Sequence, residues 1–366
     1  MNFFKFLFFL SIGLGILYWV YLKQNAAYLE QCRLDGKTAA ACGTLVTKVI
    51  NDFKQVNYWW ILLVLMCFML SNISRAARWN MLLKPLGYVP KFINSFFTVM
   101  LGYFANLALP RIGEVVRAGS LSNYEKIPLD NCVGTVVTDR IMDVISLLIV
   151  VGLTFLLEFN TLKEYLVSQM DIYGKIQGLI QNPIIWVLGG LFLLGAILSF
   201  VFKDKLMQSK LVQKVVNFAI GIKEGILSIG KLERPGLFIL HSINIWLMYY
   251  LMTYICFFAF APTADLGALP ALMVFVFGAF GIVIPSPGGL GTFHFLVVQA
   301  LAIYSIGEDN AFSFAMILFL SIQIFCNIFF GLLALLFLPR INRNYEPQIM
   351  NNTNNQNPVS QSVRTN

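Results

Sequence analysis

The chain of 366 residues is 58% hydrophobic and 12% charged, against roughly 45–50% apolar and 25% charged for soluble domains, which excludes a water-soluble protein. A bilayer core about 30 Å thick takes roughly 20 apolar residues per helix, so the length holds several spans and no large soluble domain besides. The 26 Lys and Arg against 18 Asp and Glu give a net charge of +8. No basic run is interleaved with aromatics, so this excess reads as loop anchoring in a membrane and not as a nucleic-acid surface.

In chain order, residues 6–22 are apolar behind Lys5 and are followed by no small-residue cleavage site, so they read as an anchoring span rather than a signal peptide. Residues 23–57 are polar and are expected as an external loop. They contain Cys32 and Cys42, which can pair if that loop faces an oxidising compartment. Gly36-Lys37-Thr38 ends like a phosphate-binding loop, but Gln31 stands where that motif needs glycine and no strand precedes it. Apolar segments follow at 58–73, 93–109, 135–157, 184–202, 237–260, 268–284, 290–304 and 311–338. Residues 203–234 alternate apolar positions with lysines at helical spacing. They read equally as a cytoplasmic amphipathic helix on anionic headgroups or as a linker helix packed on its own protein. The Asn- and Gln-rich stretch 344–366 is expected to be disordered, leaving residues 1–343 as one membrane domain.

Two segments are interrupted. Residues 93–109 run into Pro110 and Gly113, and 268–284 run into Pro285-Ser286-Pro287-Gly288-Gly289-Leu290-Gly291. Proline removes a backbone donor and glycine weakens helix, so both should break there, which in a bilayer is tolerated only inside protein or beside a wet cavity. Pairs of such breaks mark substrate sites built from inverted repeats. The fold expected is all-α and polytopic, with about six spans and two inverted re-entrant hairpins. Eight or nine full spans are the alternative. Counting Lys and Arg on each side does not separate the two, but the hairpin topology puts the Cys32/Cys42 loop outside and the acid-free group Arg75, Arg78, Lys84 and Lys91 inside.

The charged residues near the first break carry the functional expectation. Arg111, Glu114 and Arg117 are spaced i, i+3, i+6, which places Glu114 beside both arginines. Asp139, Arg140 and Asp143 open the next span, with the aspartates on one face. Six charges in a near-membrane stretch are costly unless paired or wet. One reading is a neutral salt-bridge lock. The other is a receptor for a lipid phosphate, whose oxygens match guanidinium forks bidentately, with Glu114 orienting rather than reacting. Arg75 and Arg78 would add two uncompensated charges for an anionic headgroup or simply anchor the span. In the second break, freed amides can meet an anion or ion or the break is simply a packing kink, and His294 is either a titrating group or hydrogen-bonded core. With only His241 and His294, far apart, and no CxxC, no metal site is expected, and no cofactor.

At Asn106-Leu107-Ala108-Leu109-Pro110-Arg111-Ile112-Gly113-Glu114-Val115-Val116-Arg117, at Asp139-Arg140-Ile141-Met142-Asp143 and at Pro287-Gly288-Gly289-Leu290-Gly291, the chain resembles the flippase-like transmembrane domain of lysylphosphatidylglycerol synthases, the multiple peptide resistance factor family. The resemblance covers nearly the whole chain up to about Arg340. It departs from that pattern at His294, where a glutamate is expected, and at Asp139, where glutamate is commoner. Only a short polar stretch follows the last predicted span, so synthase activity is not implied. The resemblance implies a bacterial inner-membrane protein with a cytoplasmic C-terminus that moves an anionic phospholipid or polyprenyl-phosphate-linked lipid between leaflets. The runners-up are an embedded enzyme using Glu114, Asp139 or Asp143 as a base, and a scaffold for a separately encoded lipid-modifying enzyme.

Overall fold

A computed structural model describes residues 3–34, 43–108, 112–169, 232–284, 286, 289–345 and 347, which are helical throughout with short connections. In chain order the helices are α1 (Phe3–Leu34), α2 (Leu45–Gln55), α3 (Tyr58–Leu83), α4 (Phe92–Ala108), α5 (Gly113–Glu125), α6 (Leu129–Leu157) and α7 (Phe159–Gln169). After residue 231 come α8 (Pro235–Ala259), α9 (Ala268–Val283), α10 (Thr292–Ala302) and α11 (Glu308–Ile341). The last contains a π-helical turn, Leu320–Cys326. Helices α3, α6, α8 and α11 are long and apolar enough to cross a membrane.

Local chemistry sets the boundaries. Asn57 caps α3 by accepting from the Trp59 amide at 3.1 Å, as side chains of this type do at helix starts. Pro235 stands in the first turn of α8, where its missing N–H costs nothing. By contrast, α4, α5, α9 and α10 have 17, 13, 16 and 11 residues. At 1.5 Å per residue they reach about 26, 20, 24 and 17 Å, short of a 30 Å core. They pair as two hairpins, α4 with α5 and α9 with α10.

Each hairpin closes through a glycine at which the backbones nearly touch. A Cβ on Gly113 would run into the Gly102 carbonyl oxygen and Asn106 Oδ1, and one on Gly281 would run into the backbone of Phe293. In the second turn Gly289 and Gly291 both sit at φ +83°, a left-handed backbone that favours glycine. Thr292 Oγ1 ties that turn down, donating to the Gly281 carbonyl at 2.6 Å.

Contacts at the helix ends define two rims. On the first, Lys84 pairs with Glu233 at 2.6 Å, and Glu125 accepts from the Asn94 amide group at 2.6 Å, the Lys91 backbone N–H at 3.0 Å and the Tyr345 hydroxyl at 2.9 Å. On the second, the Asn57 N–H donates to the Ala259 carbonyl at 3.0 Å, and Lys48 reaches Asp52 at 2.7 Å and Asn310 at 2.8 Å. The first hairpin therefore opens on the first rim and the second on the opposite one, as expected for inverted hairpins. The chain leaves the described residues beyond Gln169, past the second-rim end of α6, and returns at Leu232 on the first rim.

Two expectations change. The described parts of residues 23–57 are helical rather than loop: α1 continues to Leu34 and α2 fills 45–55, and Asn25 Oδ1 accepts from the Leu45 N–H at 2.9 Å and fastens the two together. Cys32 is disulfide-bonded, while Cys42 lies outside the described residues. The domain edge at residue 343 moves outward, since Tyr345 is held by Glu125 and by Lys91, whose Nζ lies 3.4 Å from the Tyr345 ring centroid. The span at 184–202 and all but the last residues of the amphipathic segment 203–234 lie outside the described residues, as does most of 344–366.

Candidate lipid-headgroup site

Three helices bring seven charges together beneath the first rim. On α3, Arg75 and Arg78 are buried, three residues apart on one face; α5 supplies Glu114 and Arg117, and α6 supplies Asp139, Arg140 and Asp143. Arg117 stands eight residues before the end of α5, about 12 Å down its axis.

The pairing is dense. Asp139, fully buried, accepts from Arg78 Nε at 2.8 Å, Arg117 Nη1 at 2.9 Å and Arg75 Nη1 at 3.3 Å. One turn on, Asp143 accepts from Arg78 Nη2 at 2.6 Å, Arg75 Nη1 at 2.7 Å and Arg140 Nη1 at 3.1 Å. Glu114 Oε1 meets Arg140 Nη2 at 2.6 Å. The third transmembrane wall is α8, where Ser242 and Tyr249 accept from Arg78 and Arg75 at 3.2 Å each. The Tyr249 hydroxyl is 3.3 Å from that of Tyr103. Buried charges at membrane depth survive when paired and hydrogen-bonded in this way.

One expectation is corrected by this geometry. Arg75 and Arg78 are not uncompensated rim charges; the aspartates face α3 and bind both. Glu114, expected beside Arg117, lines one cavity with it and also reaches across to Arg140 of α6. Arg111 and Pro110 lie outside the described residues.

The cluster is not closed. Among the described residues it sets Arg75, Arg78, Arg117 and Arg140 against Glu114, Asp139 and Asp143, one more cation than anion. Arg117 is 2% exposed, lies with its guanidinium carbon 3.9 Å from the Trp79 ring centroid, and uses only Nη1 on Asp139. Its Nε and Nη2 have no hydrogen-bond partner. These two nitrogens form the side-on edge of the guanidinium, with parallel N–H groups spaced to meet two oxygens of one phosphate or carboxylate. Arg140 Nε and Glu114 Oε2 are also buried without partners.

Beside them is a small cavity lined by Val99, Gly102, Tyr103, Asn106, Gly113, Glu114, Arg117 and Arg140, with about 10 Å³ of free space. That is room for about one water molecule, so a phosphate enters only if the lining side chains move apart. Asn106 shapes one wall, its Oδ1 accepting from the Gly113 N–H at 2.8 Å and so capping α5 across the hairpin break.

Among the described residues, the second hairpin contributes nothing to the lining of this cavity. Gly289, Gly291 and Ser286 bond within their own turn, with Ser286 Oγ 3.1 Å from Thr292 Oγ1, and Pro285, Pro287 and Gly288 lie outside the described residues. Among the described residues no hydrogen bond or ion pair joins the two hairpins. His294 is fully buried in an aromatic box, its ring centroid 4.6 Å from that of Phe319 and 6.2 Å from that of Phe312, and neither ring nitrogen has a partner. Neither reading of His294, as a titrating group or as hydrogen-bonded core, included this unpartnered arrangement.

Sequence reasoning missed Trp79, Tyr103, Ser242 and Tyr249. Trp79 had a signal, since Arg75, Arg78 and Trp79 recur at i, i+3, i+4 on one helical face. Ser242 and Tyr249, seven residues apart on α8, had none.

The chain is 30% identical over 178 residues to a UPF0104 membrane protein of Methanocaldococcus jannaschii, a match spanning 47% of each chain, so it covers about half the length of that relative. It is 25% identical over 289 residues to a UPF0104 membrane protein of Pyrococcus horikoshii, covering 73% of this chain and 83% of the other. No solved structure matches. The family model described as the lysylphosphatidylglycerol synthase TM region matches residues 38–339, which include both hairpins and every charge of the cluster. With that match spanning most of its length, this multi-pass membrane protein belongs to the lysylphosphatidylglycerol synthase TM region family.

Proposed function

We propose that this protein binds an anionic lipid by its phosphate in the cavity beside the first hairpin and moves it between leaflets. The observation that carries the reading is Arg117, buried at membrane depth with the Nε/Nη2 edge of its guanidinium unpartnered against a cavity, in a cluster that among the described residues has one more cation than anion. A purely structural lock gains nothing by leaving that edge unpaired, since each buried unsatisfied donor costs about 1–3 kcal/mol. The family description, which names a lipid-synthesising enzyme, supports a lipid as the ligand. The short hairpins support movement: each enters from one rim and ends inside the bundle, so the headgroup site is reached from the first rim.

In this reading the first rim, with the C-terminus, faces the cytoplasm of a bacterial inner membrane. The disulfide at Cys32, at the second-rim end of α1, supports that orientation, because such bonds persist outside the reducing cytosol. The test is reconstitution into liposomes with fluorescent phosphatidylglycerol and phosphatidylcholine. Wild-type protein should exchange the anionic lipid between leaflets, and Arg117→Ala should slow that exchange at least about tenfold, the value of one charge-assisted hydrogen bond. Equal exchange by both proteins overturns the reading. Chemically altered lipid would mark an embedded enzyme.

A further inference from the structure

The cavity beside Arg117 has room for about one water molecule, so a headgroup phosphate reaches the unpaired guanidinium edge only when the first hairpin opens. At their buried ends the legs α4 and α5 are pinned by the close approach of Gly102 and Gly113 and by Asn106, whose Oδ1 accepts from the Gly113 N–H at 2.8 Å. From there both legs run on to the first rim. Asn94 stands eight residues from Gly102 on α4, and Glu125 eight residues from Arg117 on α5, so the rim contacts lie about 12 Å from the cavity along each leg.

Those rim contacts join three parts of the chain. Asn94 and Glu125 are buried, and the Asn94 amide group donates to the Glu125 carboxylate at 2.6 Å. Both are also held by the residues just after α11. Asn342 exchanges amide hydrogen bonds of 2.8 Å with Asn94, and the Tyr345 hydroxyl donates to Glu125 Oε2 at 2.9 Å while Lys91 Nζ covers the tyrosine ring 3.4 Å from its centroid. Leg α4 is backed by α3 and by the second half of α11, whereas among the described residues α5 packs chiefly on α4 and α6. The leg with less backing is therefore α5, which carries Glu114 and Arg117. We propose, resting on the phosphate-binding reading of this cavity, that Asn342 and Tyr345 form a clasp that regulates the site. Closed, the clasp holds both legs against the end of α11 and occludes Arg117; released, it lets the rim end of α5 part from α4 about the Gly113 contact and admits the headgroup from the first rim. The clasp is made of hydrogen bonds at a rim, where water replaces them once the legs part, so its release is reversible.

Access and transport test the clasp separately. In phosphatidylcholine nanodiscs, full-length Val99→Cys places a thiol in the cavity lining for 2-sulfonatoethyl methanethiosulfonate, a water-soluble anion, with wild-type protein as the blank for the native cysteines. Adding Asn342→Ala and Tyr345→Phe should speed modification at least about tenfold, the population shift expected when a hydrogen bond to a charged group is lost from the closed state alone. In phosphatidylcholine liposomes the same pair of substitutions, without Val99→Cys, should speed exchange of fluorescent phosphatidylglycerol at least about threefold, a smaller gain because opening is one step of several. A short bismaleimide joining Asn94→Cys to Asn342→Cys should stop that exchange relative to the same variant left unlinked. Unchanged modification overturns the clasp as what closes the cavity. Faster modification with unchanged exchange, or exchange that survives the cross-link, overturns its control of headgroup entry. If wild-type and released proteins alike exchange no lipid, the phosphate-binding reading fails, and the modification rates still decide whether the clasp closes the cavity.

Discussion

Asp139 accepts from three guanidinium groups while itself fully buried, and among the described residues its removal would leave Arg117 without a carboxylate partner. Breaking a buried pair by deleting one partner costs about 3–5 kcal/mol, so Asp139→Asn should lower stability by about that amount in SDS or thermal unfolding of the detergent-solubilised protein. Asp143→Asn should cost less, since Asp143 is 13% exposed and the arginines it holds keep Asp139 or Glu114. Asp139 and Asp143 were readable as a pair from their i, i+4 spacing. Their partners were not. Nothing in the order of residues says that α3, some 60 positions earlier, lies against that face of α6, and Arg75 and Arg78 read as cytoplasmic anchors until the packing draws them into the interior.

The two legs of the first hairpin are held at the rim by the residues just after α11. Glu125, 3% exposed, bridges Asn94 and the Lys91 backbone on one side and Tyr345 on the other, and Asn342 exchanges amide hydrogen bonds of 2.8 Å with Asn94. Burial, and then the Glu125 carboxylate that its hydroxyl meets, push the Tyr345 phenol up to about 12 from an ordinary 10. The folded state holds this proton more tightly than the unfolded one, so the contribution of the latch is fully present below pH 10 and is lost as pH rises from 10 through 12. Tyr345→Phe should remove that alkaline loss and, at neutral pH, raise amide hydrogen exchange in α5 relative to α8. Unchanged exchange would mean that the latch does not hold the hairpin. The two breaks were legible from Pro110 and Gly113 and from the second glycine-rich turn. The latch was not, because a polar tail reads as disorder until its tyrosine finds a buried carboxylate.

Across the whole molecule, α11 packs on both hairpins: its first half lies on α10 and its second half on α4, with the π-helical turn between them. Such turns recur at functional sites, and here one joins the parts of the bundle that carry the inverted hairpins. Opposite rims imply opposite labelling. With Asp130→Cys on the first rim and Asp265→Cys on the second, both exposed, a membrane-impermeant maleimide applied to intact cells should label only the second; labelling of Asp130→Cys alone would reverse the proposed orientation. The sequence by itself determined that the chain is a helical membrane protein, where its hairpins break and which short motifs carry charge, because hydropathy, proline, glycine and helical spacing are local properties. The tertiary structure alone decided which charges meet, that the hairpins do not share one cavity among the described residues, and that one edge of Arg117 stays unpaired. Those outcomes depend on how distant helices pack, and a buried ion pair is formed by whichever partner the packing delivers.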